Sequence, residues 1–429
     1  MHAEPPPYSG SETTPTVSPA GSRLGAAVSR RHFLKVGLTG VVLIAIGAQA
    51  KLVSDLTGGT ANAAPALYDL AITDALVEMV DLTVVYHRVF ADASGAHLPG
   101  PVLHAFEGDE VQLRITNVLG EPHAFSVHGT PIGTGPIAPG ATATLTFTAP
   151  SAGTYIYLDP SDAPVNRLLG LHGTMVVLPR AGSSPYTDPP GSLGHLFEDL
   201  GASEHFPGEP WRPERTRIWH VHTIDPRWHA KAAAGRAINP LALVADFRPT
   251  YFTLNGQSGF FASHNPVNTP VGRVGQPHLI RIVNTGMAAH SLHIHGNHVY
   301  LCAVNGIPGS NVRFIDSWRV GPLERADWLL PFLRPPDIPG PEDIALRDAI
   351  PAELAYRDSY GVEQCPLQFP MHCHMEPSQT ARGGNYPGGL VTHWAITGDI
   401  DRDFSDAGFD CESTEQLLSP QIHVGHAGG

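Results

Sequence analysis

Two short segments of the 429-residue chain hold side chains whose types and spacing suit metal chemistry. His290-Ser291-Leu292-His293-Ile294-His295-Gly296 reads as a strand, on which His293 and His295 share one face because side chains alternate with a period of two. Further along, Met371-His372-Cys373-His374 turns two histidines one way and Cys373 the other, so one strand could serve two metal sites on opposite sides. A thiolate with imidazoles is a soft set that selects copper, and an array of imidazoles suits copper or zinc. Clustered polar groups at core-facing strand positions need partners, and a metal ion serves several at once. The chain's 24 His nearly equal its 26 Lys+Arg, and many sit in short H-x-H clusters. Imidazole chemistry is the first expectation.

The elements that must position these side chains follow from composition. Hydrophobic residues make up 42% and charged residues 15%, with 45 Gly and 41 Pro, a profile that favours short strands joined by turns. The length allows two to three domains with cores of their own. A formal charge of −14 without a basic block speaks against nucleic acid as a partner. Strand signals at sandwich spacing run through Val84 to Tyr86, Val111 to Ile115 and Thr142 to Phe147, and again through Arg217 to Thr223, Thr250 to Leu254, His278 to Val283, Val299 to Val304 and Leu390 to Thr397. Residues 64–180 form a first domain, a Pro- and Gly-rich stretch at 181–214 a linker, 215–400 a second domain, and 401–429 a tail. Insertions occupy 224–248 and 331–366. An internal repeat relates the two domains: Gly108 to Asn117 precedes His123 and His128, as Gly275 to Asn284 precedes His290 and His295.

Residues 1–63 read as a disordered leader and an export signal. Ser29-Arg30-Arg31-His32-Phe33-Leu34-Lys35 followed by the uncharged Val36 to Ala50 resembles a twin-arginine signal, and fifteen residues are fewer than the roughly 20 that cross a bilayer. Cleavage is expected after Ala48-Gln49-Ala50 or Ala61-Asn62-Ala63, the second being favoured, which places the mature chain in the periplasm or outside the cell. An uncleaved signal would instead leave a membrane anchor. In that compartment two of Cys302, Cys365 and Cys411 could form a disulfide, in a pairing the sequence leaves open.

In these motifs the chain resembles the multicopper oxidases, the family of laccases and related enzymes built from tandem cupredoxin domains. The matching pieces are the His-x-x-His-x-His-Gly at 290–296, Asp316-Ser317-Trp318, the His-Cys-His at 372–374 and Gly389-Leu390. In the first domain they are Pro99-Gly100-Pro101, Gly108-Asp109, Asn117, His128-Gly129, Pro136 to Gly140 and Gly153-Thr154-Tyr155. The resemblance spans nearly all of 67–400. It implies an all-β fold of two tandem cupredoxin-like Greek-key β-sandwiches and copper as cofactor. By the same resemblance His290 and Cys373 belong to a type 1 blue-copper site, and His128, His293, His295, His372 and His374 to the type 2/type 3 cluster that reduces dioxygen. Cys373 would carry electrons to its flanking histidines, and Glu376 is the candidate proton donor.

The ligand set departs from the family pattern in three places. The second type 1 His is Ser378, the first H-x-H of domain 1 reads Ser126-Val127-His128, and its second reads Leu158-Asp159-Pro160. Met375, Asp159 and His123 lie near these gaps as possible substitutes. The implied activity is oxidation of a small substrate, phenolic or metal ion, with dioxygen. Alternatives are a degenerate copper-binding or storage protein and a copper nitrite reductase-like enzyme, although the first-domain Cys of the latter is absent. Two-domain members of the family assemble as homotrimers, so a neighbouring copy is an expected partner. His87, His97, His104, His172 and His264 are expected to be ordinary core or surface residues, and His220 and His222 to be structural. His298 is expected to pack near the metal residues and Asp316 to hold loops.

Overall fold

The computed structural model describes residues 66–334, 367–384 and 386–403, and shows two packed β-sandwiches. The expected export signal, residues 335–366 of the second insertion, residues 404–429 of the expected tail, Cys365 and Cys411 lie outside the described residues. The first sandwich comprises β1 (Ala66–Glu78), β2 (Val84–Asp92), β3 (Gly95–Ala96), β4 (Leu103–Phe106), β5 (Glu110–Asn117), β6 (Ser126–Val127), β7 (Thr142–Thr148), β8 (Gly153–Leu158) and β9 (His172–Leu178). One sheet runs β3-β2-β1-β5-β7 and the other β4-β9-β8-β6. β5 shows the expected alternation, with Val111, Leu113 and Ile115 buried between exposed polar residues. They meet Phe90, Phe125 and Tyr157 in the core between the sheets.

The second sandwich contains β10 (Thr216–Ile224), β11 (Tyr251–Leu254), β12 (Val271–Gly272), β13 (His278–Asn284), β14 (His290–Ile294), β15 (Val299–Val304), β16 (Ile307–Ile315), β17 (Ser317–Val320), β18 (Arg325–Leu330), β19 (Leu367–Cys373) and β20 (Val391–Ile396). Its sheets run β11-β10-β13-β18-β15-β16 and β12-β20-β19-β14-β17. Trp219, Trp328 and Trp394 fill the space between them.

The internal repeat is a structural one. β1 pairs in parallel with β5, and β10 pairs in parallel with β13. Each repeat ends in a buried Asn doing the same work. Asn117 Nδ2 donates to the carbonyls of Glu121 and Ile137, and Asn284 Nδ2 to those of Ala288 and Val320. In each, the side-chain oxygen also accepts from the backbone N–H two residues on, at Leu119 and at Gly286.

One segment differs from the sequence reading, and one insertion gains a structure. Residues 181–214 carry the helix Ser192–Asp199, which buries Leu193, Leu196 and Phe197 with Tyr186 and Trp211 against Leu279, Ala303 and Leu329 of the second domain. Its Pro and Gly content marks turns around a packed layer. The insertion at 224–248 folds into two helices, Pro226–Ala233 and Pro240–Ala245, capped by the side chains of Asp225 and Asn239 and each begun by a Pro.

Candidate metal centre

Strand register brings the histidines together. β14 and β19 are antiparallel neighbours with His293 opposite His372 and Leu292 opposite Cys373. Side chains directly opposite on one face of such a pair lie close enough to interact. On the inner face, His290, Leu292, Met371 and Cys373 are buried. On the outer face stand His293, His295, His372 and His374, with His295 and His374 exposed.

The four rings form one group. Centroids lie 4.6 Å apart for His293 and His295, 4.7 Å for His293 and His374, 4.9 Å for His372 and His374, and 5.2 Å for His295 and His372. His295 Nε2 approaches His372 Nε2 to 3.1 Å. Donor nitrogens of His293, His372 and His374 all lie within 4.8 Å of one another. Burial, then the neighbouring imidazoles, lowers the pKa of His295, and burial with His374, His295 and His293 lowers that of His372. Neutral imidazole is the form that binds a metal. His293 Nδ1 lies 2.9 Å from the Asp316 carbonyl oxygen, which accepts its proton and leaves Nε2 as the ligand atom. Trp394 Nε1 donates to the His295 carbonyl at 2.7 Å, tying that end of the group to the core. Tyr386, half exposed, stands edge-on to His372 at 6.0 Å. Neither Asp316 in this orienting role nor Tyr386 was visible from the motifs, because a backbone carbonyl and a loop aromatic carry no spacing signal.

Behind the outer face, His290 Nδ1 lies 3.6 Å from Cys373 Sγ, and the Met375 N–H donates to the same sulfur at 3.4 Å. His290 is pushed down to about 4 by burial, and its buried Nε2 has no hydrogen-bond partner. Burial raises the Cys373 thiol. Ser378 is buried beside them, but its hydroxyl donates to the Met375 carbonyl at 2.7 Å. A trigonal site of one Cys and two His is therefore a ligand short, and the side chains present do not fit a blue copper. Met375 is exposed and supplies a backbone N–H to the sulfur.

The multicopper oxidase family profile matches residues 93–182, the first sandwich. Residues 93–182 are thus similar to a multicopper oxidase domain. Among solved structures, the blue copper oxidase from Nitrosomonas europaea is 21% identical and superposes with a TM-score of 0.55, over 78% of this chain and 86% of that one. The multicopper oxidase mgLAC gives 20% and 0.53, over the same shares. A copper nitrite reductase from N. europaea gives 18% and 0.50, over 78% and 94%. These likenesses establish the cupredoxin-like fold. A copper-containing nitrite reductase from Pseudomonas chlororaphis is 26% identical over 203 residues, 43% of this chain, and the match spans about half of that relative's length.

Set against the internal repeat, the first multicopper oxidase-like sandwich holds the same positions with other residues. His123 and His128 follow Asn117 at the spacings at which His290 and His295 follow Asn284. Ser126 pairs with Leu158 as His293 pairs with His372, so Asp159 stands where the second domain has Cys373. His123 Nδ1 lies 2.6 Å from Asp159 Oδ2, and Asn166 Nδ2 donates to the same oxygen at 2.9 Å. Both His123 and Asp159 are buried. They satisfy each other inside domain 1, so neither completes the outer-face group. His128, half-buried at the end of β6, lies outside that group too. Its pKa is lowered by burial and then by Arg325 and Arg167. Glu376 is exposed at the start of the turn Glu376–Gln379, two residues beyond His374. His298 stacks on Phe314 at 4.9 Å, and Cys302 is buried and free, its thiol raised by burial.

Proposed function

We propose that this chain is an exported copper protein that oxidises a small substrate, phenolic or metal ion, and passes the electrons to dioxygen. The observation that carries the reading is the outer face of β14 and β19, where four imidazoles converge and three donor nitrogens lie within 4.8 Å. An all-imidazole set suits copper, and copper bound there would supply the redox chemistry. His293, His295, His372 and His374 would hold it, with Asp316 setting the tautomer of His293. Glu376, free in solvent beside His374, would donate protons to reduced oxygen. Cys373 on β19 and His290 on β14 sit on the opposite face of the same sheet, as the electron path implied by the resemblance. With Ser378 in the third ligand position, no copper-dependent step is assigned to them.

That gap favours a second reading, in which the chain binds and stores copper without turnover. Oxygen uptake separates the two. An oxidase consumes dioxygen with a reducing phenol and loses this in His374→Ala while staying folded, whereas a storage protein takes up copper and shows no consumption. A nitrite reductase-like activity is supported by the 26% relative. It is opposed by Asp159, which occupies the first-domain position equivalent to Cys373. Nitrite consumption by the copper-loaded chain with a reducing dye would decide for it.

A further inference from the structure

A second histidine cluster lies in the core between the two sandwiches, and the metal centre does not use it. His87 on β2 and His172 on β9 come from the first domain. His220 and His222 on β10, and His229 on the helix Pro226–Ala233, come from the second. All five are buried, at 0% or 1% exposure. The His172 ring stacks on His220 at 4.7 Å and meets His222 tilted at 4.2 Å, and His87 meets His229 at 4.5 Å. One hydroxyl, Thr285 Oγ1, lies 2.8, 3.0 and 3.2 Å from ring nitrogens of His220, His222 and His172. Neither nitrogen of His87, nor Nε2 of His172, has a side-chain partner, and the Leu169 backbone is the one polar group outside the cluster acting on His87.

Two observations turn this cluster away from metal binding. Among the described residues only His293, His372 and His374 bring three donor atoms within 4.8 Å of one another. The cation nearest the cluster is already in place, since buried Arg167 donates to the carbonyls of Thr285 and Gly286 and acts on His172 and His222. The other charged groups at the cluster are few. Asp225 acts on His229 but is bound by Arg227, and Arg88, next to His87, turns its guanidinium to Asn166 and Glu121. A proton added to these rings therefore meets a positive neighbour, four other imidazoles and no free carboxylate.

We propose that the five histidines form an acid-sensitive joint between the two sandwiches, neutral and closed at neutral pH and loosened by protonation as the pH falls. The direction follows from linkage. Burial holds all five below the ordinary value of 6.5, at about 3 for His220 and about 4 for His229. The open state binds the protons and the closed state does not. The joint is thus at full strength above pH 6.5 and weakens from there towards the folded-state values. Each ring that must gain a proton on opening changes the closed-to-open ratio about tenfold per pH unit, and several opening together multiply that factor.

The test is stability against pH on the full chain. His87→Leu is the informative variant, because the Leu169 backbone is its ring's one polar neighbour outside the cluster and no side-chain partner is lost. Its stability at pH 7.5 should equal or exceed that of the native chain. Its loss of stability between pH 6.5 and 5.0 should be shallower by about one proton, a tenfold smaller change per pH unit. His172→Leu is the second variant, and hydrogen exchange is the local readout. In the native chain, β2, residues 165–172 and the helix Pro226–Ala233 should lose protection at pH 5.0 relative to pH 7.5, and β15 and β16 should not. An unchanged slope in both variants, or unchanged protection at the joint, would overturn the proposal. So would one metal ion per chain that survives replacement of His293, His372 and His374 by Ala and disappears with His87→Leu.

Discussion

At the residue scale, the two repeats solve the same geometric problem with opposite chemistry. A buried His and the side chain across from it must satisfy each other in each sandwich, and the first domain does so with Asp159 and the second with Cys373. Removing one partner of a buried hydrogen-bonded pair leaves the other unsatisfied, which costs about 1–3 kcal/mol. Asp159→Ala should therefore lower the unfolding free energy by that order in a urea titration. Cys373→Ser should leave copper uptake by the outer-face histidines unchanged, since the sulfur faces the interior, and metal analysis of the purified variant checks this. An intense visible absorption in the native copper-loaded chain, abolished by Cys373→Ser, would instead show a complete blue site around a ligand other than Ser378. The alternation in Met371-His372-Cys373-His374 was legible because a strand's period is fixed by covalent geometry. The pairing of His123 with Asp159 was not, because it depends on which strands become neighbours.

At the element scale, much of the sheet framework was readable from turn residues and alternating hydrophobicity, and β5, β7, β10, β13 and β15 fall where those signals lie. The repeat was readable too, down to the Asn that closes each copy. Asn117→Ala and Asn284→Ala should cost similar amounts, about 1–3 kcal/mol each, because each removes a side chain satisfying one buried and one part-buried carbonyl and one N–H. Thermal unfolding of the two variants, side by side, checks the equivalence. A large cost in one and none in the other would mean that the repeats have diverged in how they close. The helix Ser192–Asp199 escaped the sequence reading because it is short and bounded by Pro, Gly and Ser. Its Leu193, Leu196 and Phe197 become a core only against β13, β15 and β18.

At the scale of the molecule, two sets of histidines divide the labour between an exposed face and the interdomain core. His87 and His172 read as isolated core residues, and nothing in their spacing announces the three second-domain rings they meet. Chain topology alone brings them together. The exposed set was legible as a constellation, and its proposed cofactor can be tested without knowing the substrate. The most direct measurement is copper per chain, with zinc counted alongside. It would be made on the purified native chain and on the variant with His293, His372 and His374 all replaced by Ala. The expected result is copper bound to the native chain and lost from the triple variant, with the unfolding transition retained in both. Copper kept by the triple variant, or zinc in its place in the native chain, would contradict a copper centre on the outer face of β14 and β19.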